Sequence, residues 1–258
     1  MKVVILAGGK GTRLGQQSEI IPKPMVLIGG KPILWHIMNI YSRQGFNEFV
    51  ICLGEKAHVI KGYFSGYGNL YRDFTVDTRS GNIKYHNDYT EDWHVTLVDT
   101  GLETLKGGRI KRIEKLLDDG ANMLTYGDGL ADIDLKKLLM FHRTREKAVT
   151  ITAVQQPGRF GELNEQDGIV LSFTEKPMRS GSLINGGFMV FERGMLDYLT
   201  CEERCDFEVG ALDKLAREGQ VVAYKHPGRW ECMDHDRDVV YLNELWRTGE
   251  AFWSKSDY

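Results

Sequence analysis

The chain has 258 residues, with 33 Lys plus Arg against 36 Asp plus Glu and a net charge of −3. That length allows a sizeable core, and the balanced charge supplies no basic field for nucleic acid and no acidic tail. No apolar run approaches the roughly 20 residues a membrane span needs, so neither a nucleic-acid nor a membrane partner is expected.

In chain order, residues 3–7 ("VVILA") read as a first strand, which leaves no room for a charged-then-apolar leader. Residues 32–43 carry apolar side chains at helical spacing, with proline tolerated in the first turn and Gly45 as a stop. A strand at 49–53, a short helix at 57–64 and strands at 74–78 and 95–98 follow. A basic amphipathic helix is expected at 109–117, a strand at 122–126 ending in "YGDG", a helix at 135–144 and a β-branched strand at 149–154. Residues 158–192 are strand-rich, which suggests a β-layer added to the main sheet. Helices at 207–217 and 237–247 close the chain. Alternating strands and helices predict an α/β fold: a Rossmann-like doubly wound, mostly parallel mixed sheet flanked by helices, with a small added β-layer and C-terminal helices. No linker interrupts the chain. One domain over 1–258 is expected, with 1–157 mainly binding nucleotide and 158–258 mainly binding sugar phosphate.

Cys52, Cys201, Cys205 and Cys232 form no CxxC pair and have no histidine pair nearby. Four free thiols in a reducing cytoplasm are expected.

In open α/β sheets, ligands sit beyond the carboxyl ends of the strands. The glycine loop after the first strand and the "GDG" at 127–129 therefore belong on one rim. The loop is not a dinucleotide fingerprint, because Leu14 stands where the third glycine is required. Nor is it a P-loop, because Lys10 is followed by Gly11. Its exposed backbone N–H groups, with Lys10 and Arg13 beside them, suit an anion, and a guanidinium can grip phosphate oxygens bidentately.

"LAGGKGTRL" followed by "PKPM" resembles the signature of the sugar-1-phosphate nucleotidyltransferases. Further matches run in order along residues 1–250: "GGKPILWHIM", "VTLVDTG", "GGRIKR", "TYGDGLADID", "EKP", "INGGFMVF" and "YLNELW". The set is most like the branch that transfers a cytidylyl group from CTP to α-D-glucose 1-phosphate, giving CDP-glucose for the 3,6-dideoxyhexoses of bacterial surface polysaccharides. Other readings stay open: a different sugar 1-phosphate with CTP, or UTP or dTTP as donor.

The resemblance implies residue roles. Leu6, Ala7, Gly8, Gly9, Lys10, Gly11, Thr12 and Arg13 would cradle the nucleotide, with Arg13 neutralising the leaving pyrophosphate. Lys23 would reach the α-phosphate and the incoming sugar phosphate. Thr104 and Arg109 would contact the nucleotide; Arg109 could meet the cytosine carbonyl or a phosphate, and a helix N-terminus at Gly107–Gly108 favours the phosphate. Asp128 would ligate magnesium with Asp234 as its partner, Asp236 and Asp238 being rivals for that second position. Glu175, Lys176, Asn185 and Gly186 would hold the sugar phosphate. The resemblance also implies a homo-oligomer, as large as a hexamer. The pattern departs at Ile21, where a lysine is usual, at Arg229, His235 and Asp236 around Asp234, and in "FEVGALDKL". Those last changes bear on the choice of sugar, and His235 is expected to shape the site and not to act as a base.

Overall fold

The computed structural model describes residues 1–9, 11, 21–87, 91–155, 162–166, 168–174 and 183–254. Its main strands are β1 (Lys2–Leu6), β2 (Glu48–Leu53), β3 (His94–Asp99), β4 (Ala121–Tyr126), β5 (Gly129–Ala131), β6 (Val149–Gln155), β7 (Leu183–Glu192), β8 (Val221–Lys225) and β9 (Trp230–Cys232). Seven of them form one sheet in the order β8-β6-β7-β4-β1-β2-β3. All pairings are parallel except those of β7, which runs against both β6 and β4.

Strands buried on both faces read as continuous apolar runs, and β1 shows the consequence. Val3 and Ile5 enter one core cluster, while Val4 and Leu6 enter the other, across the sheet. The first cluster is closed by α1 (Ile33–Ser42), which buries Ile33, Leu34, Ile37, Met38, Ile40 and Tyr41. The helices α2 (Lys106–Arg112), α3 (Leu135–Arg145) and α4 (Asp236–Arg247) complete the flanking layers that concern the site. The α/β class, the doubly wound sheet and the flanking helices are as expected. Among the described residues no helix is long and apolar enough to cross a membrane, and all four cysteines are free.

Three expectations need correction. Residues 158–192 do not all lie in an added layer. Glu162–Gln166 and Ile169–Thr174 pair only with each other, but β7 enters the main sheet between β6 and β4. Six consecutive residues, Gly186 to Phe191, are buried, which suits a central strand covered on both faces and not a surface layer. The helix expected at 109–117 begins at Lys106 and ends at Arg112, followed by a 3-10 turn at Glu114–Leu116. Its two glycines let it lie against the chain at 202–206, where a Cβ on Gly108 would sit 2.5 Å from the Glu202 carbonyl oxygen. The helix expected at 207–217 opens as a π-helical turn over Phe207–Leu212 before the α-helical Asp213–Arg217.

Candidate active site

Residues at the carboxyl ends of β1 and β4 lie level, because Leu6 is in register with both Tyr126 and Cys52. The glycine loop leaves the sheet there and borders a cleft of about 700 Å³. Gly8 is buried, Gly9 is exposed, and Gly11 has φ +62°, the left-handed region that favours glycine. Lys10, Thr12 and Arg13 lie outside the described residues.

Arg109 fixes the base of this loop. Its guanidinium donates to Gly8 O (2.9 Å), Leu53 O (2.8 Å), Gly101 O (2.8 Å), Leu102 O (3.3 Å) and Thr100 Oγ1 (2.9 Å). The residue is only 4% exposed. It ties the ends of β1, β2 and β3 together, and its terminal nitrogens are engaged with protein acceptors. Thr104 is also buried, and its hydroxyl accepts from Arg112 Nη1 at 2.7 Å. Two N–H groups at the N-terminus of α2 are taken by the chain at 202–206. Leu105 N–H donates to Glu203 O and Gly108 N–H to Cys205 O. Arg109 supports the loop at Gly8 O, and both Arg109 and Thr104 line the cleft.

The charged centre lies across the cleft from α2. Lys23 sits in a 3-10 turn, Lys23–Met25, between Pro22 and Pro24. Its ammonium is 2.7 Å from Asp128 Oδ2 and 2.7 Å from Asp234 Oδ1. Burial works against that charge, but the Asp128 carboxylate, helped by Asp234, holds the Lys23 pKa above its ordinary value. The two aspartates, distant in sequence, are brought together by a ribbon. β5 begins directly after Asp128 and pairs antiparallel with β9, Cys232 opposite Gly129, and Met233 N–H donates to Asp128 O at 2.9 Å. Asp234 follows. Asp238 is occupied differently, accepting from the N–H groups of Asp234 and His235 at the start of α4. Asp236 is the exposed first residue of that helix. Of the three rivals, Asp234 is the one that faces Asp128.

Asp128, Asp234 and Cys232 place one donor atom each within 4.8 Å of one another. Burial, then the Asp128 carboxylate, pushes the Cys232 thiol well above its ordinary range, and soft sulfur is in any case a poor match for a hard, oxygen-seeking cation. The effective donors are two carboxylates. Together with one ammonium they leave a net negative charge, which fits a hard divalent cation that also binds phosphate oxygens.

On the far side of β4, Asn185 and Gly186 border the same cleft from β7. Asn185 Nδ2 donates to the Tyr126 hydroxyl (3.2 Å), and Trp230 Nε1 donates to Gly186 O (2.7 Å). Glu175 and Lys176 lie outside the described residues. Tyr126, Lys106, Glu208, Trp230 and Cys232 also line the cleft and were not singled out from sequence. Tyr126 stood within "TYGDGLADID", Cys232 was noted only as a thiol, and Glu208 belonged to the atypical "FEVGALDKL"; none had a role of its own there. The other departures stand elsewhere. Arg229 is exposed, stacks over Phe252 at 4.5 Å and donates to the Tyr241 hydroxyl at 3.1 Å. Ile21 packs against the core.

A glycine loop, a lysine and paired aspartates on the carboxyl rim of a doubly wound sheet are the parts of a nucleotide-transferring enzyme. Residues 2–246 match the Nucleotidyl transferase family, and the chain belongs to it. The glucose-1-phosphate cytidylyltransferase of Salmonella typhi is 48% identical over 254 residues, covering 98% of each chain. Among solved structures, HddC from Yersinia pseudotuberculosis complexed with GMP-PN aligns with a TM-score of 0.63 at 25% identity, over 95% of this chain and 99% of that one. A UDP-glucose pyrophosphorylase complexed with UDP-glucose shares the fold, with a TM-score of 0.69 at 16% identity over 96% and 98% of the two chains.

Proposed function

We propose that the protein is a glucose-1-phosphate cytidylyltransferase, converting CTP and α-D-glucose 1-phosphate to CDP-glucose and pyrophosphate. A sugar phosphate oxygen attacks the α-phosphorus in line. The new phosphorus–oxygen bond forms as the bond to pyrophosphate breaks, and the electron pair leaves with the pyrophosphate. The attacking phosphate is already anionic near neutral pH, so no protein base or nucleophile is required. The residues position the reactants and neutralise charge.

The observation that carries this reading is the Lys23 ammonium held between Asp128 and Asp234 on the rim shared with the glycine loop. Lys23 brings a positive charge to where the α-phosphate and the entering phosphate meet, on a backbone restrained by two prolines. Leu6 to Arg13 would hold the triphosphate, with Arg13 neutralising the leaving pyrophosphate. Arg109 anchors the loop at Gly8 O, and with Thr104 it lines the nucleotide part of the cleft. Asn185 and Gly186, with Glu175 and Lys176, hold the sugar phosphate. Asp128 and Asp234 would hold magnesium, which when bound neutralises phosphate oxygens and orients them. The chain works as one unit, the nucleotide held mainly by 1–157 and the sugar phosphate mainly by 158–258, in a cytoplasmic homo-oligomer.

The test is a matrix of nucleoside triphosphates against sugar 1-phosphates, read as pyrophosphate release. CTP should exceed UTP and dTTP by roughly 10- to 1,000-fold in kcat/KM, because a pocket set for the cytosine amine leaves a polar group unpaired against a carbonyl. Glucose 1-phosphate should lead the galactose, mannose and N-acetylglucosamine analogues. Equal use of UTP overturns the cytidylyl assignment. Another sugar ahead by more than about tenfold, or about 1.4 kcal/mol, overturns the glucose assignment.

A further inference from the structure

The cleft contains one carboxylate to which the transfer chemistry gives no role. Glu208 projects from the π-helical turn Phe207–Leu212, a conformation uncommon in proteins and frequent at functional sites. The Tyr126 hydroxyl donates to Glu208 Oε1 at 2.7 Å, and Lys106 Nζ donates to the same oxygen. Tyr126 also accepts from Asn185 Nδ2, and Asn185 Oδ1 accepts from Gly187 N–H at 2.9 Å. Glu208 thus sets the direction of the Tyr126 hydroxyl and, through it, the orientation of the Asn185 amide. Both donors fall on one oxygen. Among the described residues no donor meets Glu208 Oε2, although the side chain lines the cleft and is 29% exposed.

A carboxylate oxygen without a donor in a ligand cleft asks for an O–H or N–H group and repels phosphate. The sheet order indicates which part of the ligands it meets. The glycine loop follows β1, whereas Glu208 is bonded to Tyr126 at the end of β4 and, beyond it, to Asn185 on β7. Lys106 ties it to α2 as well, but the chain through Tyr126 and Asn185 carries it toward β7, where Gly186 borders the cleft. We propose that Glu208 is a specificity-determining residue for the sugar: Oε2 accepts a ring hydroxyl of the sugar 1-phosphate while Oε1 locks Tyr126 and Asn185 in place. This rests on the sugar 1-phosphate reading above.

The test compares native enzyme with Glu208→Gln on glucose 1-phosphate and on its monodeoxy analogues, one for each hydroxyl. Glu208→Gln should lower kcat/KM for glucose 1-phosphate about 10- to 100-fold while the KM for CTP changes less than about twofold, since a charge-assisted hydrogen bond to the sugar alone is lost. In native enzyme one analogue should fall at least about tenfold below glucose 1-phosphate, and in the variant that same penalty should shrink to less than about threefold. Such non-additivity marks direct contact, which a purely structural role would not produce. Equal deoxy penalties in the two enzymes overturn the proposal. So does a loss that appears only in the CTP-to-UTP ratio, which would assign Glu208 to the base. If Glu208→Gln fails to fold, Glu208→Asp, which keeps the charge and withdraws the oxygen by one methylene, is judged by the same comparison. Should native enzyme ignore glucose 1-phosphate, the function reading falls, and the deoxy series of the sugar it does use tests Glu208.

Discussion

Replacing Arg109 with methionine keeps much of the side-chain volume and removes the guanidinium. Leu53 O retains donors in Thr100 N–H and Thr100 Oγ1, and Leu102 is exposed, so water can serve its carbonyl. Gly8 O and Gly101 O lose the donor each has from Arg109. An acceptor stranded without a partner costs about 1–3 kcal/mol, so the two together cost about 2–6 kcal/mol. Release of a desolvated charge returns part of that. The expected loss in unfolding free energy is about 3 kcal/mol, or about 150-fold in the folding equilibrium, small enough for the fold to survive. Urea unfolding measures it. The same change frees the Gly8 carbonyl, and a loosened phosphate loop should raise the nucleotide KM about tenfold or more. Arg109→Lys should recover only part of both, since one ammonium has three donors and lacks the planar fork. A methionine variant within about 1 kcal/mol of native stability and with an unchanged nucleotide KM would refute the loop-anchoring role.

Asp234→Asn should cost about 100-fold or more in kcat and raise the magnesium requirement, with circular dichroism intact, while Asp236→Asn should stay within about twofold of native. Pyrophosphate release in a magnesium titration after chelation decides it, and a crippled Asp236→Asn with a mild Asp234→Asn would reverse the assignment. His36 links α1 to the chain end, with Nε2 bonded to Ile28 O at 2.8 Å and Nδ1 accepting from Trp253 Nε1 at 3.2 Å. Burial pushes its pKa down from 6.5 to about 4, so between those values the unfolded chain takes up a proton that the folded one refuses; stability should fall by about 3 kcal/mol as pH drops through that window and no further below it. Unfolding at pH 7 and at pH 4 in native protein and in His36→Gln checks this: equal pH slopes in the two would rule out His36 as the source.

The sheet was legible because a strand buried on both faces leaves a continuous apolar run. "VVILA" and "VTITAV" each fix one by composition alone. β7 was harder. "LINGGFMVFE" carries two glycines, and Gly187 sits at φ +84°, so its pattern resembles a turn-rich layer although it completes the sheet. Lys23, Asp128 and Asp234 were legible through motif and neighbouring glycine or proline, but their convergence was not, because it depends on a three-residue ribbon between β5 and β9. Arg109 came from the resemblance, as a contact to the nucleotide's base or phosphate. Its burial beneath Gly8 follows from the close approach of three strand ends, which no local spacing encodes. Tyr126, Lys106 and Glu208 had no periodicity to distinguish them. They acquire meaning only through one another, as a hydrogen-bonded chain across the cleft.

The altered residues around Asp234 follow a rule the sequence does contain. Side chains alternate along extended backbone. Trp230, Cys232 and Asp234, spaced by two, all line the cleft. Their neighbours Arg229, Glu231, Met233 and His235 are not among the residues lining it, and Met233 is fully buried in the core. Two of the three departures, Arg229 and His235, therefore fall on the side of the ribbon away from the ligands. Asp236 begins α4 one step later, exposed to solvent. The changes that put the glucose reading in question lie away from the cleft, while the face of the ribbon that lines it presents Trp230, Cys232 and Asp234. Because Trp230 Nε1 holds Gly186 O and Asp234 holds Lys23, that face couples the β7 side of the cleft to the charged centre through a single short strand.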